Sequence, residues 1–226
     1  MTEKQLKVLY EDNHLLVVNK PAGYLSQGDD TRDMDMIKIV KSYIKEKYDK
    51  PGAVYLGLPH RLDRPVSGAL IFCKTSKAMT RVSDMFKKRN IKKVYHAIVL
   101  NRPEVTEKRV VSYLKKDNKR NKSIVSHKPF AGAKEAILTY QQISEIEGSV
   151  LLEVTLETGR PHQIRAQLCQ EKLPILGDLK YYPQKPLEDM SIALHAVSLE
   201  FIHPVKKEPV RISSAYPKTS WWSRFA

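Results

Sequence analysis

Residues 149–157, SVLLEVTLE, set Val150, Leu152, Val154 and Leu156 on one face against Glu153, Thr155 and Glu157 on the other. Only an extended strand, whose side chains alternate sides at a period of two, sorts that pattern into an apolar and a polar face. Such a strand needs hydrogen-bonded neighbours and an apolar layer beneath it, so the chain is committed to a sheet with a covered face. HAVSLEFIH at 195–203 reads the same way, and KKVYHAIVL and GALIFCK read as further strands. LKVLYEDNHLLVVNKPAG gives two short strands around the turn EDN and closes on Pro21-Ala22-Gly23, where Pro suits the second and Gly the last position of a type I turn.

Helices are fewer. Met36, Val40, Tyr43, Ile44 and Tyr48 recur at three- and four-residue spacing and predict an amphipathic helix stopped by Pro51-Gly52. Ser76 is placed to cap a second one that buries Met79, Val82, Met85 and Phe86. Strand clusters interrupted by a few helices predict an α+β fold with a mainly antiparallel mixed sheet flanked by helices. At 226 residues, with 42% hydrophobic and 28% charged side chains, one compact domain over 1–226 is expected, and disorder, collagen and coiled coil are excluded. No apolar run approaches the ~18 residues that span a bilayer, and MTEKQLKVLY has no signal-peptide core, so no membrane is expected and the location read is cytoplasmic. Cys73 and Cys169 sit in apolar contexts without metal or redox spacing and read as reduced packing residues.

The chain carries 39 Lys and Arg against 25 Asp and Glu, a formal charge of +14, which suits a polyanionic partner, nucleic acid above all. The run KKDNKRNK reads most simply as a solvated loop, with RNA contact as the alternative. In LETGRPHQIRAQLCQEK a strand ends at Thr158-Gly159, Pro161 fits the first helical turn, and Ile164 and Leu168 form the apolar stripe. Arg160, His162 and Arg165 therefore crowd a helix N-terminus, where the macrodipole is already positive. Either an anion faces them, with Asp63 the intramolecular candidate, or they form a solvated basic turn. Dinucleotide, P-loop, zincin and zinc-ribbon motifs are lacking, and the seven histidines show no metal-ligand spacing, so no metal is expected.

PHRLDRPVSGALIF, residues 59–72, surrounds the carboxylate of Asp63 with His60, Arg61 and Arg64 at the mouth of a strand. This segment resembles the H-R-L-D-x-x-[TS]-S-G-[LA] motif of the RluA-type RNA pseudouridine synthases. Further segments similar to that family follow in order: YEDNHLLVVNKPAG, KKVYHAIV, ETGRPHQIRAQL, PILGDLKYY and LHAVSLEF. Two departures stand out. Val66 replaces the commoner Thr, with consequences for loop hydrogen bonding, and the chain starts close to the first catalytic strand, without the small basic RNA-binding domain that many relatives carry.

The resemblance implies isomerisation of uridine to pseudouridine in rRNA or tRNA. The bond from ribose C1′ to uracil N1 breaks, the base turns, C5 joins C1′, and C5 loses its proton. Nothing is oxidised or hydrolysed, so no cofactor is implied. It assigns Asp63 as the carboxylate acting on the nucleoside, as nucleophile or as base, Arg165 as the cation that keeps it ionised, and Tyr95 as the ring stacked on the target base. Arg61 matches an arginine that fills the space left by a flipped-out uridine; Arg64, Arg160 and His162 are expected on the RNA backbone. The Asp63 loop, Tyr95 and the Arg165 helix start are expected to line a central RNA-binding cleft in a monomer. An RNA-binding or folding factor with little catalysis, and a basic nuclease or glycosylase, are the alternatives; the set Asp63, Tyr95, Arg165 argues against the first and the lack of paired acids against the second.

Overall fold

The computed structural model describes residues 5–28 and 33–225. In chain order the elements are β1 (Val8–Glu11), β2 (Leu15–Lys20), α1 (Met36–Lys47), β3 (Ser67–Cys73), α2 (Ser76–Lys87), β4 (Ile91–Val99) and β5 (Glu107–Asp117). There follow β6 (Lys122–Ser126), β7 (Lys134–Ile146), β8 (Ser149–Leu156), α3 (Gln163–Gln170), β9 (Leu194–Ile202), β10 (Pro209–Ser213) and a single turn of helix, α4 (Ser220–Ser223). The chain forms two compact units. One comprises the residues up to Ile91 with Ala196–Ala215, the other Lys92–His195 with the residues from Tyr216 on.

In the first unit the strands lie in the order β1-β2-β3-β9-β10, with β1/β2, β2/β3 and β9/β10 antiparallel. Leu15 and Val17 of β2, Ala69, Ile71 and Cys73 of β3, Leu199 and Phe201 of β9 and Ile212 of β10 project into one cluster, as the period of two requires. Ala78 and Val82 of α2 close it. Each fully buried Leu or Val contributes about 1.5–3 kcal/mol, so this layer is the unit's main source of stability. The cap of α2 lies one residue earlier than the sequence suggests: Thr75, not Ser76, accepts the Ala78 N–H at 3.2 Å. α1 follows its pattern, with Met36, Ile39, Val40 and Ile44 buried and Asp35 as cap, while Tyr48 is exposed. β9 departs from the half-solvated strand its alternation suggests. Leu194, His195, Ala196, Ser198, Leu199 and Phe201 are all buried, because the strand lies inside a sheet that is covered on both faces there.

The second unit orders its strands β4-β8-β7-β5-β6, antiparallel throughout. β8 alternates as its sequence demands. α3 packs on this sheet: Ala166 joins Leu114 and Ala136, and the Gln167 amide donates to the Ala136 carbonyl (3.1 Å) and to Ser112 Oγ (3.2 Å). KKDNKRNK is not merely a loop. Lys115–Asp117 end β5, Lys122 starts β6, and only residues 118–121 form the turn of a hairpin. The thiols are core-like, since burial pushes Cys73 up to about 12 and raises Cys169 as well.

Candidate active-site residues

The segment that carries Asp63 enters β3, and its backbone is tied at nearly every step. Gly57 exchanges two 2.9 Å hydrogen bonds with Cys73. His60 Nε2 accepts the Ile71 N–H at 3.1 Å while its ring stacks on Phe86. Leu62 is buried, and its N–H and carbonyl are both engaged by Ser26 Oγ, at 3.0 and 2.7 Å. The Asp63 carbonyl accepts from Val66 N–H (3.1 Å), and Val66 is itself buried, so the residue that replaces Thr packs inward and still closes the turn. Gly68 follows at φ +118°, where a Cβ would stand 2.4 Å from the Ala196 carbonyl oxygen; only glycine allows β9 to approach this closely.

Two further anchors reach Arg64. Its carbonyl accepts the Gly23 N–H (2.8 Å) and the Lys20 ammonium (3.2 Å), and Lys20 Nζ also donates to the carbonyls of Tyr24 (2.8 Å) and Pro21 (3.0 Å). Lys20 is fully buried. Burial, opposed by the negative charge of Asp63 and aided by the cation of Arg64, brings its pKa down to about 7. The loop thus holds the half-buried Asp63 by main-chain hydrogen bonds, with a lysine beneath it whose proton is easily lost. Arg61 is exposed, while Arg64 ties its Nε to the Gly23 carbonyl (2.9 Å) and its Nη1 to Asp33 (2.8 Å).

In the second unit, the start of α3 is built differently. The chain turns through His162 in the left-handed region, φ +53°, so Pro161 precedes the cap rather than opening the helix as the sequence suggests. Gln163 folds back to close the turn. Its Oε1 accepts from Thr158 Oγ1 (2.8 Å) and from the Arg160 N–H (2.9 Å), and its Nε2 donates to the Ile137 carbonyl (3.0 Å). Arg165 is buried, which overturns the solvated basic turn as a description of this residue. It forms a bidentate pair with Asp178, Nε to Oδ2 and Nη2 to Oδ1, both 2.7 Å, and Asp178 is buried too. This carboxylate offsets a cation at the positive end of a helix. Arg160 is half-buried with Nε on the Glu135 carbonyl (2.9 Å), and His162 Nδ1 lies 3.1 Å from the Tyr181 hydroxyl. Tyr95 is buried in β4, opposite Val154.

Sequence reasoning missed Lys20 and Asp178. The signals were a lysine closing the apolar run LLVVNK and an acid inside the apolar context PILGD, and each gains its meaning from partners distant in sequence.

The model of the RNA pseudouridylate synthase family matches residues 14–170, more than half the chain, and takes in Asp63, Tyr95 and Arg165. The chain belongs to this family. Among similar members, the ribosomal large subunit pseudouridine synthase C of Buchnera aphidicola is 32% identical over 215 residues, 92% of this chain, and this chain spans 66% of its length. The tRNA pseudouridine synthase C of Vibrio parahaemolyticus is 30% identical over the whole chain and 96% of its own. Two human structures share the synthase fold: RNA Pseudouridylate Synthase Domain Containing 4 (TM-score 0.79, 24% identity, 97% of this chain and 92% of that one) and Domain Containing 1 (0.76, 20%, 98% and 88%).

Proposed function

We propose that the protein is an isomerase that converts uridine to pseudouridine in rRNA or tRNA, with Asp63 as the carboxylate acting on the nucleoside. The observation that carries this reading is the fixed Asp63 loop: a half-buried acid on a backbone held by Ser26, Gly23 and Lys20, flanked by exposed arginines, inside a family whose members are named for this reaction. A carboxylate held in this way approaches the nucleoside without having to order its own loop first. Arg165 is assigned the role of counter-charge, and its Asp178 partner fixes the guanidinium plane. Tyr95 is assigned to the face of the uracil ring. Arg61 is assigned to the gap left by the extruded base, and Arg64, Arg160 and His162 to the RNA backbone. Acid, aromatic ring and arginine together suffice for a redox-neutral rearrangement, and the acting unit is read as one soluble catalytic domain.

The test uses RNA labelled with tritium at uridine C5. Wild-type protein releases tritium to water with no strand shortening and no free uracil. Asp63→Asn keeps the fold and lowers release by roughly 10³-fold or more. Release at the parental rate from a folded Asp63→Asn protein ends the assignment, and RNA binding without any release from wild type ends the isomerase reading itself.

A further inference from the structure

In the first unit, α2 and the turn between β9 and β10 leave an open cavity of about 370 Å³ between them. β9 runs from Ala196, against Gly68, to Ile202 at the cavity, about 20 Å along the strand, and no residue of the Asp63 motif lines it. The floor is apolar. Pro204 is buried and Met85 half-buried, while Ile202 is 52% exposed. Three cations stand around it: Arg81 Nη1 rests on the Pro204 carbonyl at 3.2 Å, and Lys88 and Lys207 are exposed, with no carboxylate partner among the described residues. A single acid, Asp84, lies among them, 3.6 Å from Lys87. The turn that forms one wall is held from within. Buried His203 accepts the N–H groups of Val205 (3.2 Å) and Lys206 (2.9 Å) on Nδ1, its Nε2 lies 2.9 Å from Asp12, and its carbonyl accepts the Lys207 N–H at 3.0 Å. These bonds keep Lys207 at φ +63°, a left-handed backbone that side chains seldom take.

We propose that this cavity docks an acidic segment of a partner protein, with one aliphatic side chain against Met85, Ile202 and Pro204 and flanking carboxylates on Arg81, Lys88 and Lys207. The charge of the rim selects the sign of the partner, and the floor selects its anchor: an exposed isoleucine beside an adaptable methionine is area that an aliphatic side chain covers. Nucleic acid fits the cavity less well. Its one ring, His203, is buried, so a base has no face to stack on, and Asp84 interrupts the cations that a chain of phosphates would follow. Peptide amides, in contrast, can donate to Asp84 and pair with the exposed Asn90 amide. Docking here leaves the Asp63 loop open, so the proposal is independent of the isomerase reading.

The probe is a fluorescent peptide with a central leucine between pairs of glutamates, titrated into the full chain at about 0.15 M salt. Binding is followed by anisotropy and by the methyl NMR signals of Met85 and Ile202. A Kd below ~1 mM is expected, with both methyl signals shifting. Serine in place of the leucine should weaken binding about tenfold. Lys88→Glu/Lys207→Glu should weaken it by roughly tenfold or more, with circular dichroism and tritium release unchanged. Lys41→Glu/Lys45→Glu reverses two exposed cations of α1 and changes the net charge equally; affinity should stay within about twofold of wild type. No binding of the leucine peptide, equal affinity for the leucine and serine peptides, or equal losses in the two double variants overturns the proposal. So does an oligouridylate that shifts the same methyl signals and is weakened more by Lys88→Glu/Lys207→Glu than by Lys41→Glu/Lys45→Glu, because the occupant is then nucleic acid.

Discussion

The Asp63 loop and the Arg165 helix start are two ways of holding one functional group. In the first unit the acid stays half-buried and its backbone is held: Ser26, Gly23 and Lys20 grip main-chain atoms on either side of it. In the second, the side chain itself is gripped, by a buried bidentate carboxylate and an aromatic ring. Main-chain anchoring fixes the loop around the acid, whereas side-chain anchoring fixes the plane of a guanidinium, a group with donors to spare. The difference suits the roles proposed for the two groups, an acid that reacts and an arginine that stands still.

The largest expected effect tests the side-chain anchor. Asp178→Ala leaves Arg165 buried without its carboxylate partner and should cost about 3–5 kcal/mol in urea denaturation, whereas removal of an exposed pair such as Arg64–Asp33 should cost under ~1 kcal/mol. Equal costs would mean that burial does not set the strength of the anchor.

On the main-chain side, Gly68→Ala places a Cβ against the Ala196 backbone at positive φ and should destabilise by about 1–3 kcal/mol or more, with the loss of isomerase activity tracking the unfolded fraction. A stable but inactive Gly68→Ala protein would show instead that the close approach serves geometry rather than stability.

Lys20→Met removes the donor shared by three carbonyls, and the tritium-release rate at saturating RNA should fall about tenfold while RNA affinity holds. Its pH signature has a definite sign. The folded pKa of about 7 lies below the ordinary lysine value of 10.5, so between these limits the unfolded chain binds the extra proton. Wild-type stability should therefore gain on Lys20→Met as pH rises from about 7 to 10.5, and lose that gain as pH falls back through 7. A difference that does not vary with pH would mean that Lys20 keeps its ordinary pKa.

The last test concerns a third kind of anchor, a carboxylate held by side chains alone and remote in sequence from the motif. Burial alone would raise the pKa of Glu11, but hydrogen bonds from Lys47, Tyr48, Lys74 and Tyr43 outweigh it and bring the value to about 2. Its stabilisation should be complete above about pH 4.5 and vanish as pH falls through 2. Glu11→Gln should shift acid unfolding to higher pH and leave tritium release at neutral pH unchanged; an unshifted acid limb would remove the hub from the account.

Strand and helix assignments were legible because they depend on periodicity within a dozen residues: β8, β4 and α1 follow directly from their apolar spacing. The motif residues were legible for the same reason, since HRLD and GRPHQIR are contiguous. Errors came where a residue's state depends on what lies beside it. β9 alternates like a half-solvated strand and is buried on both faces, and Thr75 rather than Ser76 captured the helix cap because its backbone was the extended one.

What the sequence determined by itself is a set of local facts: an α+β chain of mostly antiparallel strands, strongly basic, with one acid set among arginines at a strand entrance. Only the tertiary structure decided which distant groups meet, so that Lys20 reaches Arg64 across 44 residues and Asp178 meets Arg165 around the end of a helix. The physical reason is range. Backbone preference and amphipathic periodicity act over a few residues, while burial of a charge is tolerated only when chain folding delivers its partner.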